Sequence, residues 1–247
     1  MDTLGYRSKI GIVAPSTNTV VQPELDAMRP IGVTNHFGRI HIPDDPLDGD
    51  DDFEQLMANI KAQLIAAIER VATCRPDHIL LGMSAETFWE GLDGADNFTR
   101  SLQAHTGIPV SGASEACRAA LDCYGNVKRI AVVTPYMPAA DERVRIYFEQ
   151  CGYSVARIKG LRCKSPTAIA QVSERQLRDA IIDVNHQDVD AIMVVGTNLP
   201  AARISGIAEF WLDKPVISVN TASYWWALRQ RGITDNIHGW GSLLSRY

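Results

Sequence analysis

Three pairs of short apolar segments recur in the same order in the two halves of this chain, at offsets of 120, 113 and 106 residues. Any one pair is explicable as chance similarity between buried strands, but three in order indicate an internal duplication. We expect two similar units that divide near Tyr124–Asn126. The pairs are KIGIVAPS from Lys9 with RIAVVTPY from Arg129, DHILLGMS from Asp77 with DAIMVVGT from Asp190, and IPVSGASEA from Ile108 with KPVISVNTA from Lys214.

Short β-branched or apolar runs alternate with longer amphipathic stretches along both halves. This alternation, with few hairpin turns, predicts an α/β protein: two pseudo-symmetric, Rossmann-like domains with parallel sheets and an active site in the interdomain cleft. We expect residues 1–124 and 125–218 to form the domains, with 219–247 packing back onto the first. The predicted strands are Ile10–Val13, Ile79–Leu81, Val110–Ser111, Ile130–Val133, Ala191–Val195 and Val216–Ser218, and the predicted helices are Phe53–Thr73, Ala116–Cys123, Pro138–Gln150, Glu174–Asn185 and Ala222–Gln230.

Composition narrows the classes of function. The net charge is −5 and no basic cluster stands out, so we expect neither a nucleic-acid nor a membrane partner. Five cysteines without CxxC spacing, and six histidines without HExxH spacing, predict no metal site. The chain has neither a Walker A motif nor a GxGxxG motif after its first strand, so no nucleotide cofactor is expected. Nothing near Met1 has the pattern of a secretion signal, and we expect a cytoplasmic protein.

The ends of the predicted strands are where chemistry is expected, because parallel sheets bind ligands at their carboxyl edge. Four such loops are rich in Ser, Thr, Asn and Tyr and contain no Lys or Arg. Hydroxyl, amide and backbone N–H groups there could hold a small carboxylate. The alternative is that the same residue types serve only as turns and helix caps. The loops are Pro15–Thr19, Met83–Thr87, Pro135–Met137 and Gly196–Asn198.

Five motifs in these loops and at the chain's end resemble those of the Asp/Glu racemase superfamily. IVAPSTNT from Ile12 is similar to the first loop of maleate cis-trans isomerases, and LGMSAETFWEG from Leu81 and VVTPY from Val132 resemble arylmalonate decarboxylase. VVGTNLP from Val194 and GWGSLL from Gly239 are similar to later segments of the group. The resemblance implies two pseudo-symmetric α/β domains and cofactor-free chemistry at the carbon next to a carboxylate.

The resemblance also exposes a departure at the centre of the site. Superfamily members with two catalytic cysteines use facing thiols. The resemblance places the positions of these cysteines at Met83 and Gly196 in this chain, and the internal repeat pairs the same two residues. Neither side chain can exchange a proton, so a two-cysteine mechanism is not expected.

Three interpretations remain open: an isomerase or decarboxylase that uses another group, a hydrolase that uses Ser84 or Thr197, and a small-carboxylate-binding protein or inactive paralogue. The sequence also leaves a homo-oligomer open. The candidate catalytic residues are Thr197, Ser84, Tyr136 and Glu86, and the candidate substrate-binding residues are Pro15, Ser16, Asn18, Thr19, Met83, Ala85, Gly196 and Asn198.

Overall fold

Eight strands form two separate four-stranded sheets, one from each half of the chain. The computed structural model describes residues 2–247. Every strand pair is parallel. The strands are β1 (Ser8–Pro15), β2 (Val33–Ile40), β3 (His78–Leu81), β4 (Val110–Ser111), β5 (Arg129–Thr134), β6 (Ser154–Gly160), β7 (Ala191–Val194) and β8 (Val216–Ser218).

The two sheets have the same topology. Their strand orders are β2-β1-β3-β4 and β6-β5-β7-β8. Adding four to each strand number of the first order gives the second. The three repeated sequence pairs correspond to β1 with β5, β3 with β7, and β4 with β8. The predicted α/β fold with two pseudo-symmetric parallel sheets is therefore confirmed.

All six predicted strands are present, but β2 and β6 were not predicted. Both lie at a sheet edge, and most of their residues are only partly buried. Their polar and charged side chains interrupt the apolar runs that mark the inner strands. The inner strands read as continuous apolar runs because successive side chains face opposite, equally buried sides. Thus Ile12 faces a core shared by both halves, whereas Val13 faces a separate cluster of the first half.

Ten α-helices and one short 3-10 helix (Ala168–Gln171) cover the sheets in the described chain, and five of the α-helices were predicted. The longest begins at Asp50, three residues before the predicted start at Phe53. Asp52 lies inside the first turn, where its carboxylate accepts the backbone N–H of Gly49 at 3.1 Å. The helices are α1 (Val21–Ala27), α2 (Asp50–Ala72), α3 (Ala85–Phe88), α4 (Gly91–Thr106), α5 (Ala113–Cys123), α6 (Pro138–Gln150), α7 (Glu174–Val184), α8 (Ala202–Leu212), α9 (Val219–Gln230) and α10 (Ser242–Arg246).

The C-terminal segment returns to the first half of the molecule. Helix α9 packs against α5, where the Trp226 indole donates to the Glu115 carboxylate at 3.1 Å. The Tyr224 hydroxyl donates to the Asn35 side chain at 3.0 Å. The division of the chain at residues 124 and 218 stays a prediction. Within residues 2–247, no helix is both long and apolar enough to cross a membrane.

Candidate active site

Four loops meet in one cavity between the two sheets, and each follows a central strand: β1, β3, β5 or β7. The strand order reverses between β1 and β3 in the first sheet and between β5 and β7 in the second. Such a reversal opens a crevice at the carboxyl ends of the two strands. The duplication brings two such crevices face to face. The cavity has a volume of about 60 Å³. Ten of the twelve predicted site residues line it: Pro15, Asn18, Met83, Ser84, Ala85, Glu86, Tyr136, Gly196, Thr197 and Asn198.

The structure does not place the other two predicted residues, Ser16 and Thr19, in the cavity lining. The Ser16 hydroxyl accepts the backbone N–H of Ile42 at 3.1 Å and joins its loop to the end of β2. Thr19 has an exposed side chain, and its backbone N–H donates to the Asn198 amide oxygen at 3.0 Å. The loop bends after Pro15, so only some of its side chains face inward.

One wall of the cavity was missed at the sequence level. It is apolar and comes mainly from α2, with Phe53, Leu56, Met57 and Ile60 facing the polar loops. The Phe53 ring meets the Tyr136 ring edge-on, with centroids 5.5 Å apart. Amphipathic periodicity predicted α2, but it did not show that the first turns of this helix face the strand ends. The remaining unpredicted lining residues are Thr17, Ile42, Pro135, Pro166 and Ile169.

The Ser84 hydroxyl is the centre of the polar network. Its Oγ lies 2.6 Å from the Tyr136 hydroxyl and accepts the backbone N–H of Thr197 at 3.2 Å. The Thr197 hydroxyl in turn accepts a hydrogen bond from the Asn18 amide at 3.1 Å. The hydroxyls of Ser84 and Tyr136 and the backbone N–H of Thr197, which come from both halves, therefore lie together in the cavity. Among residues 2–247, no histidine or carboxylate is hydrogen-bonded to either the Ser84 or the Thr197 hydroxyl.

Two asparagines join the loops of opposite halves. The Asn18 Oδ1 accepts the backbone N–H groups of Val20 and Val21, at the start of α1, while its Nδ2 reaches Thr197. The Asn198 Nδ2 donates to the Pro166 carbonyl at 2.9 Å, and its Oδ1 accepts from the first-half loop at Thr19. Each amide therefore bonds both its own half and the other, which fixes the loops relative to each other.

A second layer of buried polar groups supports the Thr197 loop. The Asn220 amide donates to the Thr197 carbonyl at 3.0 Å and to Glu24 at 2.7 Å. Glu24 also accepts the backbone N–H of Ala202 at 2.9 Å, at the start of α8. Burial raises the pKa of Glu24 to about 7. Sequence reasoning missed this pair because Glu24 lies on α1 and Asn220 on α9, 196 residues apart.

A cation also lies behind the first loop, although the four loops contain none. The Arg39 guanidinium, from β2, donates to the Asn18 carbonyl at 2.8 Å and to the Pro15 carbonyl at 3.3 Å. No described carboxylate forms an ion pair with it. Arg39 thereby fixes the backbone of the loop that bears Asn18.

Burial controls the two ionisable groups of the cavity. The pKa of the Glu86 carboxyl rises to about 7, since no other described residue donates a hydrogen bond to offset its loss of solvent. Burial also raises the pKa of Tyr136 far above its usual range, and the neighbouring Glu86 carboxyl adds to the rise. Tyr136 therefore remains a protonated hydrogen-bond donor at neutral pH, whereas Glu86 can exchange a proton there.

Met83 and Gly196 both line the cavity, at equivalent positions after β3 and β7. Gly196 has a φ of +122°, and a Cβ atom there would lie 2.7 Å from Cδ of Pro135. The backbone at this position therefore suits glycine. No described cysteine lines the cavity, and burial raises the pKa of the Cys117 thiol far above its usual range. That these positions correspond to the cysteines of the two-cysteine members stays a prediction. Within residues 2–247, no group of three His, Cys, Asp or Glu side chains is arranged to hold a metal ion.

Comparison with known proteins identifies the relatives of this chain. The family model for arylmalonate decarboxylase matches residues 51–244. Maleate isomerase of Nocardia farcinica is 25% identical over 252 residues, covering 98% of this chain and 96% of the relative.

Solved structures agree with this match. The Nocardia farcinica maleate cis-trans isomerase bound to TRIS has a TM-score of 0.87 at 22% identity, covering 96% of this chain and 98% of the other. An arylmalonate decarboxylase crystal structure has a TM-score of 0.80 at 19% identity, covering 97% and 100%. The predicted maleate isomerase and arylmalonate decarboxylase branch is confirmed, as is an enzyme of the isomerase or carboxy-lyase class. Because the family model matches well over half of this chain, the chain belongs to the arylmalonate decarboxylase family.

Proposed function

We propose that this protein is a cofactor-independent decarboxylase or isomerase that acts on the carbon next to the carboxylate of a small mono- or dicarboxylic acid. One observation supports this most directly: the hydrogen-bonding groups around Ser84 and the Glu86 carboxyl line the same small cavity. Chemistry of this kind needs donors for a developing enediolate and a group that transfers one proton.

The donors come from both halves of the chain. The Tyr136 hydroxyl and the Thr197 backbone N–H each form a hydrogen bond with the Ser84 hydroxyl. An incoming carboxylate can replace these mutual hydrogen bonds with bonds to its own oxygens. Fixed donors in a cavity with an apolar wall stabilise the enediolate more than water does, because they are already oriented when its charge develops.

The proton is assigned to Glu86. A carboxyl with a pKa of about 7 is partly protonated at neutral pH, which suits general acid–base catalysis. In decarboxylation of a dicarboxylic acid that carries both carboxylates on its α-carbon, the bond from this carbon to the leaving carboxylate breaks and CO2 departs. The electron pair enters the remaining carboxyl group as an enediolate. Glu86 then protonates the α-carbon and regains a proton from solvent.

Within the proposal, decarboxylation is favoured over racemisation and double-bond isomerisation. Racemisation needs a proton-transfer group on each face of the carbon, and thiol-type isomerisation needs a nucleophile. Among the described lining residues, Glu86 is the one carboxyl, and a thiol is lacking. The hydrolase alternative lacks support, because no base in the described part of the chain is hydrogen-bonded to the Ser84 or Thr197 hydroxyl. A binding protein that does not turn over its ligand needs the donors but not Glu86.

The test is proton NMR in D2O with maleate, aspartate, glutamate, substituted malonates and 2-aryl carboxylates. Loss of CO2, isomerisation and α-proton exchange are read from one series of spectra. Ser84→Ala should reduce turnover by about 100- to 1,000-fold, the typical effect of removing one oriented donor. Thr19→Ala is the control, since it removes an exposed hydroxyl from a loop of the same site.

Glu86→Gln should retain carboxylate binding, measured by line broadening, but should lose turnover. In the wild type, turnover should fall as the pH rises through about 7, because Glu86 loses its proton. Wild-type turnover in Glu86→Gln would contradict the assignment of the proton. Saturable binding without any reaction would favour the carboxylate-binding alternative.

A further inference from the structure

The cavity is too small for a large substrate. A water-sized group needs roughly 10–15 Å³ by the same measure, so about 60 Å³ holds only four to six such groups. A carboxylate and the atoms next to it fill this space. Any longer substituent must extend out of the cavity.

A much larger groove adjoins it. The groove lies between α2 and the α3–α4 region of the first half and has a volume of about 680 Å³. Met57, Ile60 and Glu86 line both the cavity and the groove. Glu86 is thus at their boundary, largely buried and without a hydrogen-bond donor from another described residue. The three shared side chains place the two spaces side by side, so a substituent that leaves the cavity past Glu86 would enter the groove.

The groove combines apolar walls with an acidic rim. Leu64, Trp89 and Phe98 supply apolar surface, while Glu54 and Glu90 are exposed at its edges and face one lysine, Lys61. These two carboxylates outnumber the single lysine of the groove lining. Such a surface attracts a cation on an apolar stem and repels a second carboxylate.

A second neighbouring space has the same sign of charge. It measures about 360 Å³, shares Leu56 and Pro166 with the cavity, and carries Asp45, Asp48 and Asp52. Neither of these two spaces therefore suits a distal anion. The groove is the larger of the two, and its aromatic side chains suit an apolar stem better.

We propose that the groove between α2 and α4 binds the distal part of the substrate, and that this part is an apolar stem ending in a cationic group such as a primary amine. This inference rests on the proposed function, because the substrate's carboxylate must lie at Ser84. It restricts the substrates to acids whose far end is positively charged.

The test compares hexanoate, 6-aminohexanoate and adipate, which have the same chain length and differ in the charge of the far end. Acetate reports binding of the carboxylate alone. Dissociation constants are measured by NMR line broadening on the full chain. We expect 6-aminohexanoate to bind about tenfold more tightly than adipate at low ionic strength, with hexanoate in between.

Two sets of variants locate the effect. Ala58→Trp fills the groove from the exposed side of α2 and should remove the advantage of 6-aminohexanoate over acetate while leaving acetate binding unchanged. Gln63→Trp is the matched control, since it places the same side chain on α2 outside the groove. The double substitution Glu54→Gln with Glu90→Gln should abolish the preference for the cation over adipate.

The proposal and the function beneath it fail in different ways. If acetate binds and Ser84→Ala weakens it, but the three longer acids bind equally or adipate binds best, only the groove proposal is overturned. An effect of Gln63→Trp equal to that of Ala58→Trp also overturns it. If none of the four acids binds, both the groove proposal and the proposed carboxylate site are overturned.

Discussion

Substitution of Gly196 by alanine should destabilise the protein at the point where the two halves meet. The φ of +122° is strained for any residue with a side chain and costs about 1–3 kcal/mol. The added Cβ would also lie 2.7 Å from Cδ and 2.8 Å from Cγ of Pro135. Forcing an extra carbon into such a contact costs a further 1–3 kcal/mol or so. We therefore expect Gly196→Ala to reduce the free energy of unfolding by about 2–6 kcal/mol.

The assay is urea unfolding, and the chain offers a control that separates the two costs. Gly152 has a φ of +91°, but a Cβ there would have no heavy atom within 4 Å. Gly152→Ala should therefore show the backbone strain without the steric contact, and should lose about 1–3 kcal/mol. The difference between the two variants measures the contact with Pro135.

A double substitution tests the same contact from the other side. Because Pro135→Ala removes the ring atoms that a Cβ at position 196 would meet, Gly196→Ala should cost less in the Pro135→Ala background. Equal losses in Gly196→Ala and Gly152→Ala, with no coupling to Pro135, would refute the reasoning. Gly196→Cys places a Cβ atom in the same contact and should be destabilised at least as much as Gly196→Ala.

Two further variants test the electrostatics and the joining of the halves. Burial raises the pKa of Glu86 from 4.5 to about 7, so the folded state binds its proton more tightly than the unfolded state does. The free energy of unfolding should therefore decrease as the pH rises from 4.5 towards 8. In Glu86→Gln, up to about 3 kcal/mol of this decrease in the free energy of unfolding should be absent, as measured by urea unfolding at pH 5 and pH 8. An equal decrease between the two pH values in both proteins would contradict this. Asn198→Ala removes hydrogen bonds to Thr19 and Pro166 and should cost about 2–4 kcal/mol, whereas a loss below roughly 0.5 kcal/mol would show that the halves do not depend on it.

Much of the site could be predicted because its residues follow buried strands. Runs such as Ile10–Val13 and Ala191–Val195 are apolar on both faces, which marks inner parallel strands in any surroundings. The residues after such strands lie at one edge of the sheet, so the repeat indicated the two loops that contain Ser84 and Thr197. Ser16 shows the limit of this reasoning, because which side chains of a loop face inward depends on how the loop bends.

The sequence by itself determined the duplication, the parallel sheets and the polar character of the four loops, since local periodicity and composition encode these features. The tertiary structure alone decided that Phe53 of α2 closes the cavity against Tyr136, and that Glu24 supports Thr197 through Asn220. These contacts join residues far apart in the chain, and no local pattern specifies them. The raised pKa of Glu86 has the same origin, because the burial that causes it comes from neighbours that only folding brings together.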